Sequence, residues 1–320
     1  MGDTAQSRLF SSELKTMHAK INELLKKTST IFLDKEEAVK LSTVCLLAGG
    51  HLLIEDVPGV GKTTLVQTLG QLLGLKTNRI QFTIDLLPGD ILGGHIYSQK
   101  DHEFHFHPGP LFAELILADE LNRASPRTQS ALLQAMEEGQ VSLDGKTWDL
   151  PKPFFVIATQ NPHQNLGTFP LPESQLDRFM LSLELNFASK KTEIQIFQST
   201  NPRDKISALA PMLSAKDLIE VQATVEAVHV SPAVAEYVGL LLENSRKTEF
   251  SGEAVSTRAG ISLVKASKAW AYLDNRDYLK PEDIQNLLLP VLGHRLGGTH
   301  GLRQGRDWAR TLEKQTPVPR

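Results

Sequence analysis

Apolar positions along this chain follow a helical rhythm first, then a strand-and-helix alternation, then a helical rhythm again. From Leu9 to about Ala48, Leu14, Met17, Ile21, Leu24 and Leu25 recur at helical spacing between charged residues, which predicts a helical lead-in. Short apolar runs then end in polar residues: His51–Glu55, Arg79–Phe82, Leu115–Ala118 and Phe154–Ala158 read as strands. Leu65–Leu73 and Thr128–Glu138 are the helices between them, and Thr83–Gly94 is irregular. Strands alternating with helices predict a parallel sheet covered on both faces. Val141–Trp148 reads as a β-hairpin turning on Asp144-Gly145. Beyond Pro202 the strand signals stop, and Ala215–Val228, Pro232–Ser245, Arg258–Leu273 and Pro281–Leu292 are amphipathic and helix-sized. Ser214, Ser231 and Lys280 precede three of them as start signals, with Glu282 and Asp283 in the first turn of the last. A short helix around Asp307–Glu313 follows. The expected division is an α/β unit over residues 1–201 and a helical one over 202–320.

Composition narrows the class without choosing the chemistry. At 320 residues the chain can bury a large core, and a formal net charge of -3 gives no general attraction to nucleic acid or anionic membranes. The single cysteine, Cys45, lies in the apolar stretch Leu41–Leu47, so it excludes an internal disulfide and reads as a small buried side chain. Met1–Ser12 is polar, and the apolar stretches are interrupted by Gly49, Gly50 and His51, too short to span a bilayer. A soluble, cytoplasmic protein is expected.

The chemistry begins at Asp56-Val-Pro58-Gly59-Val60-Gly61-Lys62-Thr63-Thr64, between a strand and a helix start. Gly59 and Gly61 let the backbone turn its N–H groups inward, and the helix points its positive end at the same spot. Lys62 can reach β- and γ-phosphates, and the Thr63 hydroxyl can ligate Mg2+. Position 56 is Asp where the usual phosphate-loop pattern has Gly. Leu115–Glu120 is an apolar strand ending in two acids, where Asp119 can hold Mg2+ through water and Glu120 can orient the attacking water. Phe154–Asn161 also runs from apolar to polar. Since parallel strands bind ligands at their carboxyl ends, Asn161 would lie near the γ-phosphate unless it is an ordinary turn residue before Pro162. Arg178 and Arg258 suit stabilisation of phosphoryl-transfer charge, and equally suit internal salt bridges.

Five strings carry a resemblance: Glu55–Thr64, Ala118–Pro126, Val156–Pro162, Pro170–Phe179 and His294-Arg295. In this order they resemble the MoxR family of AAA+ ATPases over about residues 20 to 300, and Asp56 resembles that family's own loop. The resemblance implies a three-layer α/β P-loop nucleotide-binding domain with a parallel sheet and an all-helical C-terminal lid. It implies an ATP-hydrolysing, Mg2+-dependent homo-oligomeric ring, usually a hexamer, that remodels or assembles protein partners, often ones with a von Willebrand factor A domain. Pro58, Gly59, Val60, Gly61, Lys62, Thr63 and Thr64 then belong to Walker A, Asp119 and Glu120 to Walker B, and Asn161 is sensor 1. Arg178 corresponds to the finger reaching a neighbour's nucleotide, and Arg258 to sensor 2 acting on its own subunit's. Phe82–Tyr97 resembles the helix-2 insert and the Asp144-Gly145 hairpin the insert before sensor 1, both toward the ring's pore. The family's Val-x-Gly-like string before Glu36 is here Ile31-Phe-Leu-Asp34, so adenine preference rests on the resemblance.

Two other readings stay open: a metal-chelatase motor subunit, which shares this architecture, and, from another class, a nucleotide-dependent DNA machine. The latter would carry exposed positive charge on its hairpin, whereas Lys146 is flanked by Asp144 and Asp149. His102, His105 and His107 alternate with Phe104 and Phe106, which reads as a hairpin with phenylalanines inward and histidines in solvent. Arg303, Arg306 and Arg310, mixed with Asp307 and Glu313, read as a subunit interface or a solvated helix.

Overall fold

Alternating apolar side chains on short strands sort the chain into two cores on opposite faces of one sheet. The computed structural model describes residues 12–55, 57, 59–161, 167–198, 202–247 and 253–318. In chain order the elements are α1 (Ser12–Ile31), α2 (Glu36–Leu47), β1 (Leu52–Glu55), α3 (Lys62–Leu72), β2 (Thr77–Gln81), α4 (Pro88–Leu92), β3 (Gly93–Ser98), β4 (Glu103–Pro108), β5 (Leu115–Asp119) and α5 (Pro126–Glu138). They continue as β6 (Gln140–Leu143), β7 (Lys146–Asp149), β8 (Phe155–Gln160), α6 (Glu173–Leu176), β9 (Leu181–Leu183), α7 (Lys190–Gln198), α8 (Pro202–Ser207), α9 (Ala215–Glu226), α10 (Pro232–Ser245), α11 (Thr257–Leu273), α12 (Pro281–Gly297) and α13 (Leu302–Gln315).

The main sheet has the order β2-β5-β8-β1-β9 and is parallel throughout. Leu52, Ile54, Leu115, Leu117, Phe155 and Ile157 face a core shared with α1, α2, α3 and the C-terminal helices. Leu53, Ile116, Ala118, Val156 and Ala158 face the other core, with Leu132, Leu133 and Met136 of α5. This is the two-residue period of a strand buried on both sides. Register follows from it, with Ile116 opposite Val156 and Leu52 opposite Ile157, so Glu55, Gln81, Asp119 and Gln160 all arrive at one edge.

Several elements differ from the sequence expectations. The helical lead-in is two helices, because Asp34 at φ 62° takes the left-handed conformation and breaks the run, its carboxylate accepting from the Ser189 N–H at 2.8 Å. The stretch expected to be irregular contains α4, and its insertion runs on through the β3–β4 hairpin to Pro108, beyond Tyr97. The expected Asp144-Gly145 hairpin is present, with both turn residues at positive φ. The phenylalanines of β4 do not both turn inward. Phe104 is 67% exposed beside Tyr97, while Phe106 stacks on Trp148 at 4.0 Å between ring centroids and joins the two hairpins. His105 pairs with Asp101 at 2.6 Å and His102 with the Tyr97 hydroxyl, and no metal-binding cluster of His, Cys, Asp or Glu occurs among the described residues. Cys45 is fully buried, which pushes its thiol pKa up. Among the described residues no helix is long and apolar enough to cross a membrane. The expected 201/202 boundary adjoins residues outside the description.

Helices α9 to α12 start within one residue of where expected, α12 runs on to Gly297, and α13 begins at Leu302, ahead of the expected Asp307. Ser214, Ser231 and Ser256 each accept the N–H three residues ahead, the side-chain cap that a helix start requires. The pair α12–α13 packs backbone to backbone through Gly293, Gly297 and Gly305, and a Cβ placed on Gly305 would meet the Gly293 carbonyl and the Gly297 N–H. Arg306 pairs with Glu184 at 2.8 Å, and Arg310 with Asp307 one turn away on the exposed face of α13, while Arg303 is exposed on the same helix.

Gly305→Ala is expected to destabilise the protein by about 1–3 kcal/mol through overpacking. Gly239→Ala, at an exposed position of α10 where nothing lies within 4 Å of the added methyl, should be neutral or stabilising by up to about 1 kcal/mol. Urea midpoints of the two variants would check the contrast.

Candidate functional site: a phosphate-loop cleft

The aligned strand ends and the amino end of α3 enclose a cleft of about 370 Å³, lined by Gly59, Gly61, Lys62, Thr63, Arg79, Gln81, Asp119, Glu120, Thr159, Gln160 and Asn161. The backbone ladder of α3 begins with the Leu65 N–H donating to the Gly61 carbonyl at 3.0 Å, so the first-turn N–H groups lie ahead of it, where helices bind anions. Gly61 is needed twice over. Its φ is 96°, and a Cβ there would come within 2.7 Å of the Phe32 ring. Val60 packs toward the core, and Thr64 is in the first turn of α3 outside the lining set. Asp56 and Pro58 lie outside the described residues.

The acids are organised by neighbours that the sequence reading did not single out. The Thr159 hydroxyl donates to Asp119 Oδ1 at 2.6 Å and accepts from the Glu120 N–H at 2.9 Å. Arg79 donates to Asp119 Oδ2 at 2.7 Å and to Gln81 Oε1 at 2.9 Å, and Gln81 Nε2 donates to Glu120 Oε2 at 2.9 Å. Arg123 reaches the same Glu120 oxygen at 3.1 Å. Glu120 itself has φ 58° and ψ 46°, a conformation costing a non-glycine residue about 1–3 kcal/mol, and these bonds hold it there. The signal for Arg79 and Gln81 was available in outline: they alternate around the buried Ile80 and so share a face of β2. From the lining, Gln160 donates to the buried Glu55, whose burial raises its carboxyl pKa above the usual range.

Arg178 and Arg258 are not brought to this cleft. Both meet Glu137 in the last turn of α5, Arg178 NH1 at 3.0 Å and Arg258 NH2 at 2.5 Å, on different carboxylate oxygens. Arg178 NH1 also donates to the Leu133 carbonyl at 2.6 Å. The own-subunit position expected of Arg258 is therefore not the one it occupies here. The end of α5 is further fixed by His51, whose Nε2 bonds the Met136 carbonyl and whose Nδ1 accepts from the Val156 N–H, both at 3.1 Å. Burial pushes that imidazole down to about 4, so it stays neutral. Next to Arg178, Asp177 accepts from Arg295 Nε at 2.7 Å and from the Ser256 hydroxyl at 2.9 Å, tying α12 and the start of α11 to the segment. His294 is buried beside them, bonded to Ser182 of β9 and the Phe179 carbonyl, and burial keeps its pKa low.

Residues 51–181 match the profile described as the ATPase family associated with various cellular activities (AAA), and residues 245–314 match that of the AAA lid domain. The chain is 43% identical over 280 residues to the uncharacterized protein YeaC of Bacillus subtilis, covering 88% of each. It is 37% identical over 298 residues to Chaperone MoxR1 of Mycobacterium tuberculosis, covering 89% of this chain and 77% of that one. A crystal structure of a protein from Cytophaga hutchinsonii superimposes with a TM-score of 0.84 at 34% identity, covering 98% of this chain and 99% of that one.

Thr159→Val keeps the shape but removes the hydroxyl joining Asp119 to Glu120. Loss of a hydrogen bond to a charged group, about 1.5–3 kcal/mol, should slow ATP hydrolysis about tenfold or more with nucleotide affinity little changed. Steady-state phosphate release alongside titration of a fluorescent ATP analogue would separate the two effects.

Proposed function

The chain belongs to the MoxR family of AAA+ ATPases, and from that premise we propose that it works as a homo-oligomeric ring, hexameric in number, coupling ATP hydrolysis to remodelling or assembly of a partner protein complex. The observation that supports this most is the joining of Asp119 and Glu120 through Thr159 directly opposite the phosphate loop, since a mere binding module has no need of a strained, triply held acid. The name of the relative Chaperone MoxR1 supports the protein-directed part.

In this reading Gly59, Gly61 and the first turn of α3 cradle the phosphates, and Lys62 contacts the β- and γ-phosphates. Thr63 and Asp119 fit Mg2+: both line the cleft, and one hydroxyl and one carboxylate completed by phosphates and water are the set this ion takes. Bound with the triphosphate, Mg2+ supplies charge neutralisation on the phosphoryl oxygens. Glu120, held at the cleft by Gln81 and Arg123, orients the attacking water and takes up its proton. Asn161, at the end of β8, donates to the γ-phosphate side of the cleft without altering charge.

Arg178 serves the nucleotide of the adjoining subunit, which accounts for a guanidinium placed away from its own cleft. Hydrolysis removes the contact between subunits, and the resulting change of lid angle moves the α4–β3–β4 and β6–β7 insertions at the pore. The division at 201/202 separates the nucleotide domain from the lid, the compartment is the cytoplasm, and the client is a protein such as one with a von Willebrand factor A domain. Asp144 of the hairpin turn pairs with His95 at 3.0 Å, which makes that tip a poor match for nucleic-acid phosphates.

Glu120→Gln should bind ATP and assemble but hydrolyse about a hundredfold more slowly or worse, because the amide keeps the shape and cannot accept a proton. Light scattering with ATP and phosphate release would show it, and wild-type turnover would remove Glu120 from this role.

Lys62→Ala should lose nucleotide binding, and Arg178→Ala should bind but not turn over. Mixing the two restores some interfaces with an intact Lys62 pocket facing an intact Arg178. Phosphate release should therefore partly return across mixing ratios; a mixture as inactive as its components would contradict the shared site.

A further inference from the structure

Two basic side chains line the cleft, and the functional reading above uses one of them. Lys62 opens α3, whereas Arg79 stands on β2, the edge strand, three strands over from β1. Arg79 lies opposite Leu117 and Gln81 opposite Asp119, so the Arg79 side chain runs two residues along the strand to reach that carboxylate. Its Nη2 ends 2.7 Å from Asp119 Oδ2 and 2.9 Å from Gln81 Oε1. The other carboxylate oxygen, Oδ1, accepts from Thr159 in the interior of β8. One oxygen of Asp119 is thus held by a buried strand residue and the other by a side chain that is 52% exposed.

Asp119 is also the carboxylate that fits Mg2+ beside Thr63. A guanidinium and a divalent cation with its water shell then converge on the same oxygen, at a side chain only 15% exposed, where their mutual repulsion is poorly screened. They exclude each other there. Mg2+ carries twice the charge and arrives with a triphosphate, while an ion pair made by a half-exposed arginine is weak. Departure of Arg79 disturbs no packing: the core contact of this strand is made by Ile80, and Arg79 leaves from a sheet edge directly into solvent.

We propose that Arg79 is an internal counter-ion of Asp119 that Mg2+ displaces, so that the carboxylate is neutralised by the guanidinium without the metal and by the metal with it. This rests on the reading that Asp119 serves Mg2+ in this cleft. Two effects of opposite sign result. Without metal, Arg79 cancels a negative charge that would otherwise repel the polyanionic nucleotide, and it strengthens binding. With metal, Arg79 competes for Oδ2 and weakens binding. Nucleotide affinity therefore depends less on Mg2+ than Asp119 alone would make it.

The test titrates the full chain with a fluorescent ATP analogue, once in EDTA and once in saturating Mg2+. Arg79→Met keeps an unbranched side chain without the charge. It should bind the analogue about threefold more weakly than wild type in EDTA and about threefold more tightly in Mg2+, the scale of an exposed ion pair. A general loss of structure would weaken both, and Arg79→Gln replaces Arg79→Met should that variant fail to fold. In an Asp119→Asn background, Arg79→Met should no longer shift the two affinities in opposite directions. Weaker binding in both conditions would make Arg79 a direct phosphate contact and overturn the proposal, as would no change in either. Both of those results leave Asp119 at the metal. If Asp119→Asn by itself keeps the full gain in affinity that Mg2+ gives the wild type, the metal is not served by Asp119, and the reading and the proposal fall together.

Discussion

Everything at the cleft depends on the registry of the central parallel strands. Because β5, β8 and β1 bury both faces, a shift of one residue would carry Leu117, Ile157 and Leu52 from one core into the other, and the apolar pattern forbids it. The strands therefore end together, and their polar last residues meet across one edge. That alignment puts the Thr159 hydroxyl of one strand between Asp119 and Glu120 of the next. The geometry of the cleft is here a by-product of core packing, and the strain at Glu120 is tolerated because the registry beneath it has no alternative.

The helical C-terminal part is not an appendage hung on a linker. Buried residues of α9 to α13 belong to the same core as one face of the sheet, and β9 brings His294 and Arg295 of α12 against the segment that bears Arg178. Arg295 is buried and gathers Asp177 together with the carbonyls of Met180 and Phe179. Burying a guanidinium is tolerable only with such complete pairing, and the pairing makes the segment and α12 a single body.

Legibility in the sequence followed the strength of the local signal. β1, β5 and β8 could be read because each is an apolar run stopped by polar residues, and the phosphate loop because glycine and lysine have a physical reason for their spacing. β9 could not: Leu181-Ser-Leu183 is short, and its Ser182 looks exposed until His294 is known to cover it. Phe104 misled because alternation says which residues share a face and not whether anything lies against that face. The arginines were readable as charges in want of a partner. Glu137 was not, since a glutamate near the end of an amphipathic helix is ordinary until two distant segments converge on it. Contacts made by chain segments far apart in sequence are the part that composition and periodicity leave unread.

The C-terminal end of α5 collects more connections than its sequence suggests. Gly139, at φ 64°, closes the helix, and β6 departs at once toward the hairpin whose Trp148 stacks on Phe106 of the other insertion. Mechanically, the two hairpins form one lever whose fulcrum is this helix end, braced on the sheet by His51. The two stacked hairpins, the sheet and both arginine-bearing segments therefore meet at the last turn of one helix.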